Sequence, residues 1–119
     1  MDISLLDELI LRCDSEPLTD AAIAPFLVGK SREEFCDVFS RRIAHEYAAD
    51  RMSFDTADAA MNRLFAFAYL GDDDFLPAYS REVFEAFDDG EYRHSDDPPD
   101  TDPEQKYTRP QILEIVARG

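Results

Sequence analysis

Two histidines have neighbours that could give them chemical work. His45-Glu46-Tyr47-Ala48-Ala49 opens like the helix of a zinc protease, whose mechanism needs a second imidazole four residues on. That position is Ala49, so His45 is expected to be unliganded, either satisfied within the fold or facing solvent. His94 lies among Glu91, Asp96 and Asp97. This grouping could raise its proton affinity or hold a metal, but a histidine in a polar loop is the simpler reading. Asp96, Asp97, Asp100, Asp102 and Glu104 offer oxygen ligands, yet Pro98 and Pro99 stand where a calcium loop needs its turning glycine. Neither Cys13 nor Cys36 has the basic or helix-N-terminal setting that favours a thiolate. The glycines Gly29, Gly71, Gly90 and Gly119 are isolated and form no phosphate loop. The expectation is a protein without catalytic residues, metal or cofactor.

The strongest pattern is the placement of charge. The 119 residues carry 27 Asp plus Glu against 12 Lys plus Arg, a net charge of -15. Such a surface repels phosphate backbones and anionic membranes and suits a basic protein partner. The acids are also unevenly spread. Asp72, Asp73 and Asp74 form one run; Asp88, Asp89, Glu91, Asp96, Asp97, Asp100, Asp102 and Glu104 form a longer one, with Arg93 as its cation. Phe75 and Tyr79 border the first run; Phe87, Tyr92 and Tyr107 border the second. Carboxylates beside aromatic anchors are one way to occupy a cationic groove. The sequence therefore predicts one negative, partner-binding face made of Asp72, Asp73, Asp74, Asp88, Asp89, Glu91, Asp96 and Asp97, with Tyr92 as the anchor.

The elements that must position these residues read as helices. Ile3, Leu6, Ile10 and Cys13 make a stripe over residues 2–13. Thr19 caps a short piece from Asp20 to about Val28, which Pro25 must distort and Gly29 end. Ser31-Arg32-Glu33-Glu34 is a capping box. It opens a helix with Phe35, Val38, Phe39, Ile43 and Tyr47 on one face and Arg41, Arg42, Glu46 and Asp50 on the other. Ser53 or Asp55 caps Thr56–Leu70, apolar nearly all round and so expected at the centre. Pro77 starts a helix that Gly90 closes. Residues 91–107 read as an extended acidic loop, and Thr108-Arg109-Pro110-Gln111 as a second capping box before a last short helix. The fold expected is all-α: a single domain over residues 1–119, an antiparallel bundle of about five helices around Thr56–Leu70. The start has no basic n-region, and no apolar run approaches a membrane span. Two cysteines make no framework, and a reducing, cytoplasmic location is the simplest reading.

Three stretches carry a resemblance. Phe39-Ser40-Arg41-Arg42 sits in an early helix, Ala60-Met61-Asn62-Arg63-Leu64-Phe65-Ala66-Phe67-Ala68-Tyr69 in a central one, and Tyr107 with Gln111 to Val116 in a closing one. Over roughly residues 35–117 the chain resembles bacterial toxin-immunity proteins of the colicin D immunity-like group. It departs from their pattern in its length, its Pro77–Asp88 helix and an insertion around Pro98-Pro99. The resemblance implies a small helical inhibitor that places acidic residues in the basic cleft of a tRNA-cleaving toxin domain. The expected function is thus an immunity protein that neutralises a basic toxin, a nuclease. An acidic adaptor or chaperone-like module is the first alternative, and a small metal-dependent enzyme the second.

Overall fold

The computed structural model describes residues 3–71 and 73–119. Six α-helices occur in it, with no strand among the described residues: α1 (Ile3–Arg12), α2 (Asp20–Ile23), α3 (Arg32–Ala48), α4 (Phe54–Ala68), α5 (Ala78–Asp89) and α6 (Arg109–Arg118). Several boundaries follow from local side-chain chemistry. Thr19 accepts from the Ala22 N–H at 3.1 Å, and Pro25 tightens the next turn, Ala24–Phe26, into a 3-10 helix. Gly29 turns the chain at φ 74°, a conformation that a side chain disfavours. Ser31 and Glu34 form the complete capping box of α3, and Ser53 caps α4.

One apolar cluster runs from α1 to α6. Leu6, Leu9 and Ile10 bring α1 onto α4; Phe35, Phe39, Ile43 and Tyr47 of α3 meet Val83, Ala86 and Phe87 of α5 and Ile112 and Ile115 of α6. Tyr47 sets its ring edge-on to Phe87 at 5.1 Å. Cys13 and Cys36 are free, buried thiols, pushed up to about 11 and about 12 chiefly by burial. No helix among the described residues is long and apolar enough to cross a membrane.

Five features differ from the sequence reading. The bundle has six helices, and its centre is not α4. That helix buries Ala57, Ala60, Met61, Leu64 and Ala68 but leaves Asp55, Asn62 and Ala66 exposed. Alanine makes a helix read as apolar while costing nothing on its wet side. α5 packs against α3, α4, α6 and the turn before α6, and so is the more central element. Glu46, expected on the outer face of α3, is buried between Arg42 at 3.0 Å and Arg51 at 2.7 Å. Two guanidiniums offset the desolvation of its carboxylate.

The acidic loop is also shorter than residues 91–107. Pro103 is already helical, and residues 104–108 form a wide π turn that runs straight into α6. Asp102 starts this helix by accepting from the Glu104 N–H at 3.1 Å. Thr108 is therefore inside a helix and caps nothing; its hydroxyl, fully buried, donates to the Ala86 carbonyl at 2.6 Å. The polar groups of this joint satisfy one another, which locks α6 to α5.

Candidate partner-binding surface

The two acidic runs lie at opposite ends of α5. Helices α4 and α5 are antiparallel: Asn62 donates to Glu91 just past α5 at 3.0 Å, Phe65 stacks on Phe84 at 4.0 Å, and Tyr69 lies under Arg81. The link containing Asp73 and Asp74 thus precedes α5, while Asp88, Asp89 and Glu91 are at its far end. Twelve helical residues separate the ends by about 18 Å. This corrects the single face expected from sequence. Asp72 lies outside the described residues.

Asp73 and Asp74 each meet a cation. Arg32 reaches Asp73 at 3.9 Å while its guanidinium covers the Phe75 ring at 4.3 Å. Arg81 reaches Asp74 at 3.6 Å and covers Tyr69 at 4.5 Å. Asp74 also accepts from the Leu76 N–H at 3.1 Å, shaping the approach to α5. Each arginine is held by a ring as well as a carboxylate, so these acids contribute little free negative field.

The second run is built around an aromatic stack. Gly90 ends α5 where the chain passes under Thr108; a Cβ there would lie 2.0 Å from the Thr108 hydroxyl oxygen. Past this close approach, the His94 ring lies between Tyr92, at 5.0 Å and 13°, and Tyr107, at 4.0 Å. His94 Nε2 faces the Asp89 carbonyl oxygen at 3.1 Å. Tyr92 is half exposed, at 55%, yet one side of its ring is fixed by the imidazole. This is an exposed aromatic whose freedom has already been removed, the property that favours an interface anchor.

The acids around it divide into internal and outward groups. Asp97, expected at the surface, has a side chain only 1% exposed. It accepts from Lys106, from the Tyr107 hydroxyl at 2.7 Å and from the His94 N–H at 2.9 Å. The Lys106 hydrogen bond leads in holding its carboxyl down at about 2. Asp97 is the knot of the arm formed by residues 91–102 and contributes no surface charge. Asp89 accepts from Gln111 at 3.1 Å. Glu104 accepts from the Tyr47 hydroxyl at 2.7 Å. Glu91 and Asp96 are exposed and Asp88 is half-buried. Burial first, then Glu91 and Asp89, push the Asp88 carboxyl up. It also faces the negative end of α5, which adds to the same effect.

Two α4 residues belong here that the sequence reading did not single out. Asn62 donates to Glu91 at 3.0 Å, and Asp58, one turn earlier on α4, has its Oδ1 sealed from solvent without a hydrogen-bond partner; burial first, then Glu91, push its carboxyl up to about 8. Their spacing of four on a helix otherwise rich in alanine and aromatics was the available signal.

Other candidates are committed to structure. A cleft of about 580 Å³ lies between Tyr47, Asp50, Arg51, Ser53, Glu104 and Arg109. In it Arg109 pairs with Asp50 at 2.9 Å and donates to the Tyr47 and Ala48 carbonyls at 3.2 Å, closing the end of α3. His45 is exposed. Among the described residues, no group of three or more His, Cys, Asp or Glu is placed to hold a metal ion. Comparison with protein families, with curated proteins and with solved structures finds no match for this chain.

Proposed function

We propose that the chain is an inhibitor of the immunity type, docking its α5–arm end into the cationic cleft of a basic protein, a toxin nuclease domain. The observation that carries this reading is Tyr92, half exposed and stacked on His94, in a stretch of chain whose exposed acids include Glu91 and Asp96. The carboxylates would steer the encounter with a phosphate-binding cleft, and the ring would hold the complex. The site is narrower than the sequence suggested: Asp88, Glu91, Tyr92 and Asp96 face the partner, while Asp89 and Asp97 support them. Asp73 and Asp74, paired with arginines, stay outside it. An adaptor would use the same surface but leave the partner's activity intact.

The test is co-purification from the native cell with identification of the bound protein, followed by assay of its nuclease activity. The expected result is a basic nuclease, inhibited in the complex. Tyr92→Ala should cost about 2 kcal/mol of affinity while leaving the circular dichroism unchanged. Recovery of a partner that binds wild type and Tyr92→Ala equally would overturn the docking surface. An active nuclease in the complex would favour the adaptor.

A further inference from the structure

The chain has five tyrosines, and four of them carry one of its own cations on the ring. Arg109 lies over Tyr47 at 5.4 Å, Arg81 over Tyr69 at 4.5 Å, Arg41 over Tyr79 at 4.1 Å and Lys106 over Tyr107 at 5.3 Å. Each of these cations also meets a carboxylate: in the same order, Asp50 at 2.9 Å, Asp74 at 3.6 Å, Asp37 at 2.8 Å, and Asp97. A ring and an acid together are thus the setting in which this fold repeatedly holds a cation. The fifth tyrosine is Tyr92. Its ring is exposed, and among the described residues no cation lies on it. The neighbouring Arg93 is turned to the Pro99 carbonyl, to which it donates. We propose that Tyr92 takes an arginine side chain of a basic partner protein, whose guanidinium stacks on the open face of the ring. The proposal rests on the arm end being the partner surface, and names the group that the partner brings to it.

The geometry suits that guest. Tyr92 ends a file of rings whose other end already holds a cation: Lys106 lies on Tyr107, Tyr107 on His94 at 4.0 Å, and His94 on Tyr92 at 5.0 Å. The imidazole lies within 13° of parallel to the Tyr92 ring, which sets the ring's plane. A planar group therefore meets Tyr92 on the face turned away from His94. Glu91 and Asp96, both within four residues of Tyr92, are exposed, and among the described residues neither is paired with a cation. Glu91 accepts from the Asn62 amide, which leaves its charge in place.

Arginine fits this surface better than lysine. Its guanidinium is planar and more weakly hydrated, and keeps its N–H donors in its own plane, free for carboxylates, while its face rests on a ring. A lysine ammonium is a compact, strongly hydrated charge that gains less from the ring. An apolar partner group would cover Tyr92 but leave Glu91 and Asp96 without a cation.

The experiment uses the isolated protein with ¹³C-labelled tyrosine rings, observed by NMR. The probes are a short blocked peptide of alternating glycine and arginine, and the same peptide with lysine for arginine. The arginine peptide should shift the Tyr92 ring resonances saturably and leave the four cation-covered tyrosines in place. It should bind about two- to fivefold more tightly than the lysine peptide of equal charge. Tyr92→Leu, apolar but without a π face, should bring the two peptides to equal affinity, while Tyr92→Phe keeps the preference for arginine. Tyr92 resonances that do not move overturn the proposal, as does equal affinity of the wild type for the two peptides. Neither of these readings depends on a variant folding. A Tyr92 that ignores arginine yet is needed to inhibit the co-purified nuclease removes the guanidinium and leaves the docking surface standing. A Tyr92 that takes arginine while the co-purified partner stays active supports the guanidinium site and removes the inhibitor reading.

Discussion

The two ends of α5 carry similar formal charge and behave oppositely. At its start, Asp73 and Asp74 meet Arg32 and Arg81, and each guanidinium also rests on an aromatic ring. At its far end, Asp88 is pushed up by burial and by its acidic neighbours Glu91 and Asp89, and Glu91 rests on the Asn62 amide at 3.0 Å. Acid count is thus a poor measure of electrostatic field. What matters is whether a cation shares the site, and in this chain that cation comes from elsewhere in the fold. Arg32 is 41 residues from Asp73 in sequence yet reaches it across the bundle.

Breaking the far end should produce the largest effect. Gly90→Ala drives a Cβ into Thr108 and also brings it 3.3 Å from Phe54, so it should cost about 1–3 kcal/mol in chemical denaturation and unseat the arm. Gly71→Ala, near the other acidic run, meets only the Phe67 carbonyl oxygen, at 3.1 Å, and should cost less. Equal losses would mean that the Gly90 joint is no more constrained than the link before α5.

Charge neutralisation should separate the ends next. Asp88→Asn with Asp96→Asn should slow association with a basic partner about tenfold at low salt and flatten its salt dependence. Asp73→Asn with Asp74→Asn should change that rate less than about twofold. Stopped-flow mixing across a salt series distinguishes the pairs; equal slowing would return the α4–α5 link to the interface. The smallest effect is on folding. Arg32→Ala removes an exposed ion pair and a ring contact, and should shift stability by about 0.5–1 kcal/mol in thermal melts.

The same contrast explains what the sequence made legible. Signals completed within a few residues were readable: the Thr19 cap, the Ser31–Glu34 box, the Pro25 distortion and the Gly29 turn all appear in the structure. Thr108 offered an equally good local signal. It was overridden because Ala86, 22 residues away, presents a buried carbonyl that needs a donor. Glu46 looked like an outward charge because Arg51 lies five residues on, beyond the helix end. Tyr92 could be chosen from its neighbours' charge. Its His94 support, the inward turn of Asp97 and the Asn62–Glu91 hydrogen bond required a fold that brings α4, α5 and the arm together.

The two buried thiols have a practical consequence. Raised to about 11 and about 12 and closed off by the core, Cys13 and Cys36 are poor nucleophiles at neutral pH. Maleimide dyes should pass them over while the protein is folded. An exposed position such as Ser95→Cys would then take a single label on the native background. A fluorophore there would sit on the arm beside Tyr92 and give an optical record of its motion, without replacing either native cysteine.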